Sequence, residues 1–165
     1  MVQAMDSNQA QALQELMVRA DVAALGTLHK DEPFVSMAPY ALLPQGQVVV
    51  HVSRLATHTR DMLDHPGVSL MVLGERAADM PAQALPRASL QGDARPCPPD
   101  DPVYAAARAA YLARFPDTEF MFGFADFSLF IVTVRSVRFV AGFAQASSLT
   151  GDAYAALMSS RRRPA

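Results

Sequence analysis

The chain is poor in the residues that staple small proteins together. Among 165 residues there is one cysteine, Cys97. No internal disulfide can form, and a lone cysteine between prolines offers no metal-ligand spacing. Neither is needed, because a domain of this length buries roughly 70% of the surface its unfolded chain would expose. Such cysteine usage also fits a reducing compartment. Charge of either sign is scarce as well. Fourteen Lys and Arg face 16 Asp and Glu, a net charge of −2. That balance gives no general attraction to nucleic acid or to an anionic membrane. The one basic run, Arg161-Arg162-Arg163, reads as a solvated tail. No segment holds the roughly 18–20 uninterrupted apolar residues of a membrane helix. Residues Met1 to Asn8 lack the basic-then-apolar pattern of a secretory leader. The expectation is a cytoplasmic protein with no nucleic-acid or membrane partner. What is abundant is apolar: 51% of residues are hydrophobic, and the mean hydropathy is +0.11. With so few charges, part of that surface is expected to be covered by a second copy, as a homodimer.

Periodicity predicts a first helix, capped by Asp6 or Ser7, with Ala10, Leu13, Leu16, Met17 and Ala20 on one face. Strands are predicted at 22–28, 34–43 and 48–52, separated by the polar turns 29–33 and 44–47. Pro39 lies within the second, where it cannot donate to a ladder and so marks an edge, a bulge or a ligand-facing stretch. Residues 53–66 change character. Thr57 is the expected cap of a short helix that Pro66-Gly67 stops. Strands at 68–73 and 87–94 flank an Ala- and Pro-rich loop. A third helix follows Asp100 or Asp101 and runs to Phe115. Strands at 128–134 and 137–143 are expected to turn at Arg135-Ser136, and a short helix over 152–159 closes the chain. Seven short strands with few helices between them argue an α+β fold, an antiparallel β-barrel with flanking helices. There is no repeat and no linker, so 1–165 reads as one domain, with a core over about 16–146 and a tail over 147–165.

One segment carries most of the chemical signal. Around a helix start, with its free backbone N–H groups and positive dipole end, stand the hydroxyls of Ser53, Thr57 and Thr59, the guanidinium groups of Arg54 and Arg60, and the His58 imidazole. This set suits a phosphate; ordinary capping of a solvated turn explains it equally well. The stretch Phe34–Tyr40, with its mid-strand proline, could lie along a planar ligand or be an irregular edge. His29 and His65 fall in turns and read as solvated, and His51 lies in a strand as a core histidine. No His, Cys or carboxylate spacing supports a metal. Dinucleotide, phosphate-loop and nucleophile-elbow motifs are all absent. Asp126, set among Phe120, Phe122, Phe124, Phe127 and Phe130, needs a partner if buried, and a structural role is favoured.

Taken in order, several motifs resemble a known family. They are VAALGTL (22–28), PFVSMAPY (33–40), SRLATHTRDML (53–63), HPGVSL (65–70), RASLQGDA (87–94), FADFSL (124–129) and FVAGFA (139–144). Their order and spacing resemble the FMN-binding split barrels of the pyridoxamine 5'-phosphate oxidase-like class, nearest to its haem-utilisation branch. The resemblance spans about Leu16 to Ala146. It implies a homodimer with two FMN sites at the subunit interface. The strand holding Ser36, Met37, Ala38 and Pro39 would run along the flavin ring. The segment holding Ser53, Thr57, His58, Thr59 and Arg60 would take the ribityl phosphate, and Arg87 and Gln91 would reach the cofactor from a neighbouring strand. Two departures shape the expected function. Thr57-His58 stands where pyridoxamine-phosphate oxidases carry Arg-Lys, and their C-terminal Arg/His motif is missing, so that substrate is not expected. No histidine follows His65, where haem-degrading relatives place an iron ligand, so only weak haem binding is expected. The expected function is a flavin-dependent oxidoreductase of undefined substrate. The alternatives are a haem-binding or haem-utilisation protein and a non-catalytic flavin-binding dimer.

Overall fold

The computed structural model describes residues 5–143 and 145–161. It opens on helix α1, Ser7–Arg19. Asp6 caps it through a bond from the Gln9 backbone N–H, and the Gln9 side chain answers to the Asp6 backbone. This reciprocal box satisfies two otherwise orphaned donors. Leu13, Leu16 and Met17 are the buried stripe, each contributing roughly 1.5–3 kcal/mol by leaving water.

Strand β1, Val22–His29, and β2, Glu32–Pro39, form a hairpin paired from Val22↔Pro39 to His29↔Glu32. Its two-residue loop, Lys30 and Asp31, has φ of 52° and 65°. This mirror-image turn matches the right-handed twist of the strands. The hairpin is tighter than the five-residue turn expected, because Pro33 enters β2. That strand is at the sheet's edge, where prolines 33 and 39 cost no ladder bond. The predicted strand over 34–43 breaks at Tyr40, whose N–H donates to the Asp21 carbonyl and whose hydroxyl donates to the Met17 carbonyl. A two-residue strand β3, Ala41–Leu42, follows.

The remaining elements are β4 (Val48–Ser53), α2 (Thr57–Asp64), β5 (Gly67–Leu73), β6 (Arg87–Cys97), α3 (Tyr104–Arg114), β7 (Phe127–Gly142), β8 (Gln145–Thr150) and α4 (Gly151–Ser159). A 3₁₀ stretch, Pro116–Gly123, precedes β7. Every pairing is antiparallel, in the order β2-β1-β5-β6-β7-β4-β3, with β8 also on β7. The sheet curls into a split barrel with flanking helices, the expected α+β class.

Three further local expectations fail. Arg135-Ser136 is no turn: β7 runs straight through as one long strand. Its register against β6 shifts from Gln91↔Ser136 to Gly92↔Val134. One extra residue is thereby absorbed as a bulge. The tail supplies an eighth strand, β8, which the polar sequence QASSLT does not advertise. Thr57 does not cap α2; Ala56 holds the cap position without a side-chain bond.

The main core fills the barrel with Leu25, Tyr40, Val50, Leu70, Leu90, Phe130 and Phe139. A second core lies between the sheet and α3, around Val49, Cys97, Tyr111, Leu129 and Ile131. Strand β4 is covered on both faces, so Val48 to Val52 are all buried, His51 among them. On the outer face of β2, β1 and β5, by contrast, Val22, Val35, Met37, Met71 and Leu73 are exposed.

Candidate functional site

The hairpin β1–β2 and helix α2 meet along a polar seam. Ser36 Oγ lies 3.0 Å from His58 Nδ1, which joins the two segments singled out in the sequence. Three residues on, the same helix face presents Asp61, which is buried. Thr27 Oγ1 donates to its Oδ2 at 2.8 Å, and His29 Nδ1 lies 2.8 Å from its Oδ1. Burial pushes the Asp61 carboxyl up, but the His29 and Thr27 hydrogen bonds and the adjacent His29 and His58 imidazoles outweigh it and hold the pKa below the usual value. An ionised carboxylate only accepts, so His29 Nδ1 carries the proton of this bond. His58 is half-buried, and desolvation lowers its pKa against the opposing pull of Asp61. At neutral pH it is an uncharged ring that can donate or accept.

The start of α2 is open. With no side chain on the cap, the first backbone N–H groups of the helix have no side-chain acceptor. Thr57 is half-exposed there, and Arg54 and Arg60 are exposed. Two of the predicted hydroxyls are already engaged. Ser53 Oγ donates to Asp126 Oδ2 at 2.6 Å and accepts from the Leu55 N–H. Thr59 is buried and donates to the Ser53 carbonyl at 2.7 Å. These two shape the turn. The guanidinium groups are lightly tethered, Arg54 to the Ala125 carbonyl and Arg60 to that of Leu55. Asp126 thus ties down the turn, with Ser53 as its side-chain partner.

On β2, Ala38 is buried, Ser36 faces α2 and Met37 points outward. Ser36, Met37, Val22, Met71, Leu73 and Arg19 line a groove of about 630 Å³ between α1 and the outer sheet face. Arg87 and Gln91 stand elsewhere on that outer face. The pairings set Pro39 beside Val22 and Leu73 beside Arg87, and align Val35, Gly26, Ser69 and Gln91 in one row across the sheet. Three strand spacings, about 14 Å, separate β6 from β2. Within one chain Arg87 bonds the Gln83 and Leu85 carbonyls, and Gln91 accepts from Ser136. Neither side chain is hydrogen-bonded to the α2 segment.

Sequence reasoning missed the Thr27–Asp61–His29 cluster. In sequence His29 reads as a solvated turn residue, whereas it ends β1, and Asp61 is an ordinary helix carboxylate. The only available signal was a carboxylate three residues after His58, on the same helical face. The fourth histidine, His51, is buried as expected. Its ring stacks on Phe122 at 3.9 Å between centroids, with Tyr111 and Phe127 beside it. Burial pushes its pKa down to about 4, and Nδ1 has no hydrogen-bond partner. Among the described residues no group of three or more His, Cys, Asp or Glu could hold a metal ion, and no helix is long and apolar enough to cross a membrane.

A curled antiparallel barrel, an edge strand and an open helix start bridged by Ser36 and His58 define a split-barrel class of protein. The family model for pyridoxamine 5'-phosphate oxidase matches residues 9–141, and the chain belongs to that family. It is 37% identical over 120 residues to the chloroplastic non-canonical heme oxygenase HOZ of Arabidopsis thaliana, a match covering 73% of this chain and 35% of the plant protein. Among solved structures, a heme binding protein from Mycobacterium smegmatis superposes with a TM-score of 0.82 at 31% identity, over 93% of this chain and 62% of that one. HutZ, the heme storage protein from Vibrio cholerae, gives 0.65 at 25% identity, over 74% and 87%. The chain therefore spans about a third of its plant relative and less than two thirds of the mycobacterial one.

Proposed function

We propose that this chain binds FMN as a homodimer and works as a flavin-dependent oxidoreductase. The observation that carries the reading is the Ser36–His58 contact, which sets an edge strand and an open helix start side by side. Edge strand β2 has backbone donors and acceptors not committed to a second strand, as the polar rim of a flavin ring requires. At the start of α2, free N–H groups, the Thr57 hydroxyl, His58 and the exposed Arg54 and Arg60 suit a ribityl phosphate. Ser53 and Thr59 contribute by holding the turn. Bound there, FMN would supply hydride or electron transfer. The exposed apolar face around Val35 and Met37 is where a second copy would pack. Its apposition is the route by which Arg87 and Gln91, remote from α2 in one chain, would reach a cofactor.

A second reading is favoured by the names of two relatives above 30% identity, a heme oxygenase and a heme binding protein. In that reading the barrel handles haem, with or without flavin. The absorbance spectrum of freshly purified protein separates the two. Two flavin bands in the near ultraviolet and blue support the first, a Soret band the second, and a colourless protein that takes up neither ligand contradicts both.

A further inference from the structure

We infer that His58 is a proton-linked ligand for the cofactor phosphate, neutral in the free chain and protonated as the phosphate arrives, with Asp61 as its positioning residue; this rests on the FMN reading above. His58 is the second residue of α2, in the turn whose backbone N–H groups have no side-chain cap. Its surroundings in the free chain disfavour a cation. The ring is half-buried, and burial lowers its pKa from the ordinary 6.5. The positive end of the helix dipole opposes a second positive charge in the same turn. The Ser36 hydroxyl, 3.0 Å from Nδ1, can donate to the neutral ring as readily as it accepts from it. A phosphate dianion at the helix start reverses this balance. It offsets the dipole, and a protonated ring then makes a charge-assisted bond to it. Binding therefore takes up a proton.

Asp61 is the counterweight. It is buried, and Thr27 and His29 hold its two oxygens. Three residues after His58 on the same helical face, its charge favours the protonated ring and limits how far burial lowers the pKa. The other charged groups around α2 are committed or turned to solvent. Strand β1 brings His29, bonded to Asp61, and β2 brings the uncharged Ser36. Strand β6, which also packs on α2, has Asp93 paired with Arg135 and Arg95 with Asp101. Arg54 and Arg60 are exposed. A lysine or arginine in place of His58 would hold a phosphate across the whole neutral range. A histidine ties that hold to pH. Affinity rises as the pH falls from about 8 to 6.5, and the gain ends near about pH 6, where the phosphate itself takes a proton.

The test is calorimetric titration of the full chain with FMN at neutral pH, in Tris and in PIPES, two buffers of different ionisation enthalpy. The difference in heat counts the protons taken up. Wild type is expected to take up protons on binding, and to bind FMN about three- to tenfold more tightly at pH 6.5 than at pH 8. His58→Gln keeps a hydrogen-bonding side chain that does not titrate, and should lose both the uptake and the rise in affinity. His58→Lys should bind tightly at both pH values with no uptake. In Asp61→Asn the rise should move to lower pH, because the ring loses the charge that favours its proton. No uptake by wild type, or uptake that persists in His58→Gln, overturns the assignment while leaving the FMN reading intact. No saturable binding of FMN by wild type overturns both. An unmoved pH profile in Asp61→Asn overturns the role given to Asp61.

Discussion

Ser53 and Asp126, 73 residues apart, are joined by a 2.6 Å hydrogen bond from hydroxyl to carboxylate. The Arg54 N–H adds a second tie to the Asp126 carbonyl at 2.7 Å. Together they fasten the turn before α2 to the start of β7, where β4 and β7 already pair as Ser53↔Phe127. The open helix start thus projects from a fixed base.

Removing that tie should loosen the turn. Asp126→Ala leaves Ser53 without its acceptor in a half-buried site. A loss of about 1–2 kcal/mol is expected, below the full value of a buried charged bond. Ser53→Ala should cost a similar amount, and the double variant little more than either single one. Chemical denaturation of the four proteins measures this; strictly additive losses would show that the two side chains do not act as a pair.

Acid should destabilise the protein through His51. Its ordinary pKa of 6.5 falls to about 4 in the fold, so between these values the unfolded chain binds more protons. Stability is complete above pH 6.5 and is lost as the pH falls towards 4, by about 3 kcal/mol at most. The lowered Asp61 carboxyl works in a separate, more acidic window: its contribution is present above the ordinary value of 3.8 and fades below it. In His51→Phe, which keeps the stack on Phe122, the slope between 6.5 and 4 should flatten. A slope equal to wild type would assign it to other groups.

Close packing at the barrel bulge should make Gly92 intolerant of a side chain. A Cβ there would lie 2.4 Å from the Thr133 carbonyl oxygen and 2.8 Å from a Val132 methyl. The nearest atom is backbone of a paired strand, so β6 and β7 must shift. Gly92→Ala is expected to lower stability by about 1–3 kcal/mol, read from the denaturation midpoint. A neutral effect would mean the bulge relaxes without cost.

The outer sheet face gives the dimer a direct check. Val35 is 68% and Met37 61% exposed in the single chain. Light scattering should give twice the 17.8 kDa chain mass for wild type and a single chain mass for Val35→Glu/Met37→Glu. A wild-type monomer at micromolar concentration would remove the interface on which the roles of Arg87 and Gln91 depend.

Most of the barrel is legible along the chain because its strands are short, alternate in burial and are bounded by turn residues; β5, with Val68, Leu70 and Val72 buried between exposed neighbours, is the clearest case. The cap of α1, narrowed to Asp6 or Ser7, and the irregularity marked by Pro39, one of whose readings is an edge, are equally local. What escapes is set by pairing across distance. Whether Arg135-Ser136 turns or bulges depends on β6, and QASSLT becomes β8 only because the second half of β7 needs a neighbour. The site divides in the same way. Residues 53–60 form a cluster visible in sequence, whereas Thr27, His29 and Asp61 meet only once a hairpin and a helix 32–34 residues away have packed.

The central claim is that FMN is held where β2 meets the start of α2. Its most direct test is a fluorescence-quenching titration of FMN against wild type and His58→Ala/Arg60→Ala. Charge-assisted bonds to phosphate contribute roughly 1.5–3 kcal/mol each. The double variant should therefore bind at least tenfold more weakly while keeping its circular dichroism and thermal midpoint. Equal affinity in the two proteins, or no saturable binding by wild type, would contradict the account.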